Sequence, residues 1–220
     1  MQIYSPQTDS QLYLDCANEI ISECVQNSII GEGNFGICFK ISDRRAAKIT
    51  CDKGEVAAAI ITMAQPNDAL PNVYSIKKTS NPSLYIIEQD LCTKLDDSEY
   101  AFIDDALSTF HSEYEDEFED PSLTTAKAFN ELVRWGSLNY LDNDAFAIEL
   151  NRAVSTASEH ALLDILDFHL DNVMRHNNSL VLIDQKAQSP TPDDSKRIDN
   201  IINRFFTQHK KIEPIQACLP

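Results

Sequence analysis

The residues of this chain that could do chemistry fall into two sets. The first is Gly31-Glu32-Gly33-Asn34-Phe35-Gly36, followed twelve residues later by Lys48. Three of the five glycines in the chain sit in those six positions. Glycine lets the backbone pass close to a ligand and adopt φ above zero. A glycine-rich turn followed by a lysine could therefore cradle phosphate groups. The second set is Asp167, Asn172 and Asp184. A carboxylate such as Asp167 could accept the proton of an attacking hydroxyl. Asn172 and Asp184 offer hard oxygen donors, the kind that Mg²⁺ takes while it also bridges phosphates. Taken in order, the two sets describe phosphoryl transfer, with ATP and Mg²⁺ as the implied cofactors.

These residues must be positioned by particular elements. Residues 29–49 read as a β-hairpin or short meander, because Ile37, Phe39 and Ile41 alternate with Cys38 and Lys40. A turn over 42–45 leads to a strand carrying Lys48 between small and apolar residues, which leave room for an adenine ring. A solvated edge lysine is the alternative. A dinucleotide fingerprint would need a helix after the glycines, whereas this sequence alternates as a strand does. Glu55 opens a helix through the alanine-rich stretch 56–61. It either pairs with Lys48 or merely favours the positive N-terminus of that helix. Strand-like runs at 72–76 and 83–87 complete five strands and one helix before residue 92, a small α+β lobe. Residues 88–91 read as a linker leaving the last strand. Glu88 and Asp90 are placed at the cofactor on that ground.

Helices dominate from Asp96 onward. Tyr100, Phe102, Ile103, Leu107 and Phe110 share one, and residues 123–135 and 144–166 form two more. Residues 166–174 are a loop, and 180–184 a short apolar strand ending in an acid. At the two ends of the chain, Leu12, Cys16, Ile20 and Cys24 mark a helix over 8–27, expected to pack outside the next lobe. Ile198, Ile201, Ile202, Phe205 and Phe206 mark a tail helix over 193–210, expected to pack on the helical lobe. The domain reading is an N-terminal extension (1–28), an N-lobe (29–91) and a reduced C-lobe (92–220).

The formal charge of −17 argues against unaided binding to nucleic acid or anionic membrane and favours basic partners. Residues 113–120 carry six acids in eight positions, read as a solvated face or, less simply, a site for a basic partner. No apolar run approaches the roughly 20 residues that span a bilayer. The first basic residue is Lys40, so a signal peptide is not expected. Six scattered cysteines without metal spacing read as reduced thiols in a cytoplasm.

The ordered parts resemble the protein-kinase-like superfamily over roughly residues 28–186. Within it, Asp167-Phe-His-Leu-Asp-Asn172-Val-Met resembles the D-x-H-x-x-N-I-M loop of the small early serine/threonine kinases of T-odd podophages. Leu70-Pro71-Asn72-Val73-Tyr74 and Ile183-Asp184 resemble that family too. The resemblance implies an α+β, two-lobed kinase-like fold. Gly31, Gly33, Gly36 and Lys48 would hold ATP, Asn172 and Asp184 would hold Mg²⁺, and Asp167 would be the catalytic carboxylate. It also implies phosphorylation of Ser/Thr hydroxyls on host proteins and on the kinase itself, modulating host transcription or defence. The chain departs from the pattern in three places. Ile165-Leu166 stands where His-Arg would precede the aspartate, Gln185-Lys186 follows Asp184 instead of Phe-Gly, and only 36 residues remain after Asp184. A kinase-shaped binding protein is therefore one alternative. A small-molecule kinase is another, because aminoglycoside- and choline-type kinases carry the same loop spacing.

Overall fold

The computed structural model describes residues 12–17, 28–114, 145–160, 170–184 and 192–209. Residues 12–17 are helical and are called α1. Five strands follow: β1 (Ile29–Glu32), β2 (Gly36–Lys40), β3 (Arg45–Thr50), β4 (Val73–Lys78) and β5 (Tyr85–Asp90). They form one antiparallel sheet in the order β1-β2-β3-β5-β4. Helix α2 (Lys53–Ala64) joins β3 to β4. The class is α+β, as the sequence predicts.

Strand alternation divides this sheet into two faces. Ile37, Phe39, Ala47, Ile49 and Ile86 lie on one, where Tyr13, Cys16 and Ala17 of α1 cover them. Ile76, Tyr85 and Ile87 lie on the other, packed against Val56, Ala57 and Ile60 of α2. Lys48 shares this second face, since Cys38 and Ile87 are its partners across the ladder. Helix α2 starts where it does because Asp52 caps it, accepting the Gly54 N–H at 2.7 Å and the Glu55 N–H at 3.2 Å. The sequence of α2 is apolar almost all the way round, and such a helix needs cover on more than one side.

That second cover is the tail helix α5 (Pro192–His209), whose Ile198 and Ile202 join the same core. The expectation that this helix packs on the helical lobe is corrected: it packs on α2. A polar outer surface on α5 lets it sit as an external cap over an apolar neighbour. The linker expected at 88–91 also begins later, because β5 runs to Asp90 and pairs with β3 to that point.

The second part of the chain holds α3 (Asp97–Tyr114), α4 (Ala145–His160) and a small sheet, β6-β7-β8, of Thr93–Lys94, Val173–His176 and Ser179–Leu182. Its core gathers Leu70, Ile103, Leu150, Val154, Val173 and Leu182. Arg175 ties these pieces together. Its guanidinium donates to Glu99 of α3 (2.7 Å from Nε), to Glu149 of α4 (3.2 Å) and to the Asn178 carbonyl (2.8 Å). The helix expected over 123–135, most of the acidic block, and parts of the helices expected over 8–27 and 144–166 lie outside the described residues.

Candidate active site

A cavity of about 760 Å³ lies between the glycine turn, strands β2 and β3, the segment leaving β5, and the β7–β8 hairpin. Lys48 enters it from β3. Its Nζ contacts the Glu55 carboxylate and the Asp184 carboxylate together. Lys48 and Glu55 are 13% and 11% exposed, while Asp184 is 37% exposed. Of the two readings open for Glu55, the pairing is present. Glu55 also stands in the first turn of α2, where a negative side chain suits the helix N-terminus. The seven-residue spacing suffices because β3 ends two residues after Lys48 and α2 begins at once.

Burial works against the charge on Lys48, but Glu55 and Asp184 outweigh it and hold the ammonium protonated well above its ordinary range. Burial pushes the Glu55 carboxyl up, with the Lys48 charge opposing. Cys38 and Cys92 line the same cavity, and burial pushes both thiols up to about 12. Neither is a thiolate nucleophile at neutral pH.

Asn172 and Asp184 meet through hairpin register. Val173 pairs with Leu182, and the Ile183 N–H donates to the Asn172 carbonyl at 2.9 Å. The residue before β7 and the second residue after β8 therefore reach the same end of the hairpin. Its other end is a two-residue turn in which Asn177 and Asn178 have φ of 49° and 66°, as a primed hairpin turn requires. Asn172 is buried at 3% exposure, and Asp184 has a left-handed φ of 58°. A non-glycine residue in that conformation is uncommon and often marks a functional site. Asp167 belongs to residues 161–169, which lie outside the described residues.

No described glycine takes a positive φ, and of the three in the turn only Gly36 is required by close approach. A Cβ on Gly36 would stand 2.5 Å from the Ile49 carbonyl oxygen, whereas one on Gly33 would meet nothing within 4 Å and one on Gly31 only Cys38 at 3.9 Å. Sequence reading missed two residues that fix the turn. The Thr50 hydroxyl donates to the Phe35 carbonyl at 3.1 Å and accepts the Asp52 N–H at 3.0 Å. The Cys51 N–H donates to the same Phe35 carbonyl at 3.0 Å. The turn and the cap of α2 are thus tied at one fully buried threonine. Asp52 carried a legible signal, an acid before an alanine-rich run; Thr50 carried none.

Glu88 is corrected. It does not line the cavity, since alternation turns it to the face opposite Lys48, where Arg45 (2.6 Å) and Ser75 (3.0 Å) bond its carboxylate. Asp90 reaches the cavity wall at the end of β5, but its carboxylate is already engaged. It accepts the Asn72 N–H (2.9 Å), the Asn72 side-chain amide (2.8 Å) and the Tyr74 hydroxyl (2.5 Å), and His176 Nε2 lies 3.4 Å away. Burial would raise its pKa, and these partners reverse that and lower it. A depressed carboxylate contributes stability above its unfolded pKa of about 4, and that stability is lost as pH falls through the folded value. Asp90→Asn should therefore flatten the decline in melting temperature between about pH 5 and pH 3, relative to the parent chain. Parallel slopes for the two proteins would show that Asp90 contributes none of it.

The site suits a Mg²⁺–nucleotide by its donors and its size. Ligand cavities commonly run from roughly 300 to 1,000 Å³. Among the described residues no group of three or more His, Cys, Asp or Glu could hold a metal alone. Asn172 and Asp184 would hold Mg²⁺ jointly with phosphate oxygens and water, the usual habit of that ion.

No protein-family model and no curated protein sequence matches the chain. Among solved structures, the chain is similar to a thermostable mutant of an aminoglycoside phosphotransferase in its apo form. The TM-score is 0.35 and the identity 14%, over 77% of this chain and 70% of that one.

Proposed function

We propose that the chain is an ATP- and Mg²⁺-dependent phosphotransferase acting on serine and threonine hydroxyls of proteins, host proteins and itself among them. The observation that carries this reading is Lys48, held by Glu55 and Asp184 at once inside a cavity roofed by the glycine turn. An ammonium has three donors. Two are taken by the carboxylates, and the third would be left to donate to a phosphate oxygen. Bound Mg²⁺ would neutralise charge on the transferred group. Asn172 and Asp184 would orient it, and Asp167 would take the proton of the attacking hydroxyl. The acceptor class rests on the resemblance of the loop 167–174 to the early phage kinases.

A small basic acceptor such as an amino sugar is the second reading, favoured by the charge of −17. Incubation with γ-labelled ATP and Mg²⁺ tests both, using the chain alone, a basic protein or an aminoglycoside as acceptor. Label should pass to protein, and disappear with chelator, with Asp167→Ala and with Lys48→Ala. Label on the aminoglycoside alone would establish the second reading. Equal labelling by all three proteins, or none by any, would overturn the phosphotransferase reading.

A further inference from the structure

We infer that the tail helix α5 is the positioning element for the Lys48–Glu55 pair, so that the last described segment of the chain sets the competence of the nucleotide cavity. The inference rests on the phosphotransferase reading and deepens it. Glu55 lies in the first turn of α2, and its carboxylate meets Lys48 only when that helix stands at one height and rotation against the sheet. The β3 connection fixes one end of α2 through the Asp52 cap. Nothing in that connection fixes the body of the helix.

Two layers hold the body. Beneath it lie Ile76 and Ile87 of the sheet, and over it lie Ile198 and Ile202 of α5. The α2–α5 packing is the most extensive between any two described helices. It extends beyond α2 to the sheet: the Phe206 ring lies 6.0 Å from the Tyr85 ring, and Lys78 Nζ stands 4.9 Å over Phe206. At the other end, Lys53 Nζ, on the residue two before Glu55, meets Asp199 Oδ1 at 2.7 Å. One helix thus spans from the first turn of α2 to the strands that carry its floor. Only seven residues separate α5 from Asp184, the second carboxylate on Lys48. The docked helix is therefore covalently close to one partner of the lysine and packed on the element that presents the other. Mutations within such a packed network, away from any ligand, can shift coupling several-fold.

The test uses the full chain with Ile202→Ala, Phe206→Ala, the conservative Ile202→Val, and Arg204→Ala on the exposed side of α5 as control. Affinity for a fluorescent ATP analogue with Mg²⁺ should fall about five- to tenfold for the two alanine variants on the core side. Ile202→Val should restore most of it, and Arg204→Ala should match the parent. A purely structural role would also weaken binding, so the deciding measurement is a double-mutant cycle with Glu55→Gln. If α5 acts through Glu55, Ile202→Ala loses most of its effect once Glu55 is glutamine. Full additivity would overturn the inference. Amide hydrogen exchange supplies a readout that needs no nucleotide: residues 53–64 should lose protection in Ile202→Ala, and unchanged protection would also overturn it. Should the parent chain bind no nucleotide, the functional reading falls, and the exchange result still decides whether α5 holds α2.

Discussion

Lys48→Ala will remove nucleotide binding and, at neutral pH, a large part of the stability of the small lobe. Two effects add. The first is functional: the variant lacks the cation that contacts the Glu55 and Asp184 carboxylates together. Removal of a charge placed on a transferring phosphoryl group costs roughly a hundredfold or more in rate. The second is structural. Glu55 would remain buried beside Asp184 with no counter-charge, and breaking a buried pair by deleting one partner costs about 3–5 kcal/mol.

The pH dependence of that loss has a definite sign. Burial already raises the Glu55 pKa, and Lys48 is the influence that opposes it. Without Lys48 the folded-state pKa rises further above the unfolded value. A raised folded pKa confers stability that is present at low pH and lost as pH increases through it. Lys48→Ala should therefore melt closer to the parent at about pH 5 than at about pH 8. Lys48→Ala with Glu55→Gln should recover much of the melting temperature at pH 8 and none of the nucleotide affinity. Thermal melts at the two pH values, with titration of a fluorescent ATP analogue, check both halves. A melting temperature equal to the parent at both would show that the pair is not buried and coupled as described.

The second large effect separates two glycines that look alike in sequence. Gly36→Ala places a methyl group 2.5 Å from the Ile49 carbonyl oxygen and 3.3 Å from Lys48 Cε. The oxygen belongs to the β2–β3 ladder, where Gly36 pairs with Thr50 and Ile37 with Ile49, so it cannot swing aside as a side chain would. Relief requires parting the strands or displacing Lys48. Overpacking of this kind costs about 1–3 kcal/mol, or a fall in melting temperature of roughly 2–12 °C for a chain of this size. Gly33→Ala meets open space and should stay within about 0.5 kcal/mol of the parent. Equal melting temperatures for the two variants would refute close approach as the reason for Gly36.

Much of the small lobe was legible because its signals are local. Alternation of Ile37, Phe39 and Ile41 gave β2, and the turn and small residues after it gave β3. The Asn172-to-Asp184 hairpin was legible from a short apolar strand at hairpin distance from a polar loop. Other assignments failed for physical reasons. Glu88 was placed at the cofactor by counting along a supposed linker. One more paired residue on either side of it makes it strand, and strand parity then sends it to the wrong face. The glycines were expected to let the backbone approach a ligand and adopt positive φ, yet none has a positive φ, and Gly36 is required because a neighbouring carbonyl lies where its Cβ would be. Sequence spacing carries no information on that distance. Asp90 looked like a cofactor contact, but its carboxylate is taken up by Tyr74 of β4, by Asn72 just before that strand and by His176 of β7.

The parts and their order were already in the sequence: the glycine turn, the lysine strand, the glutamate helix, the Asn172 loop and the strand that leads to Asp184. It could do so because hydrophobic period, capping and turn chemistry act over a few residues. Only the tertiary structure decided that Glu55 and Asp184 share one ammonium, that Thr50 ties the turn to the helix cap, and that the tail helix covers α2 instead of the helical lobe. Those outcomes depend on which faces are left apolar once the sheet has formed. An amphipathic helix states that it needs an apolar partner without stating which. The all-round apolar surface of α2, exposed on one side by the sheet it packs on, supplied the partner for α5.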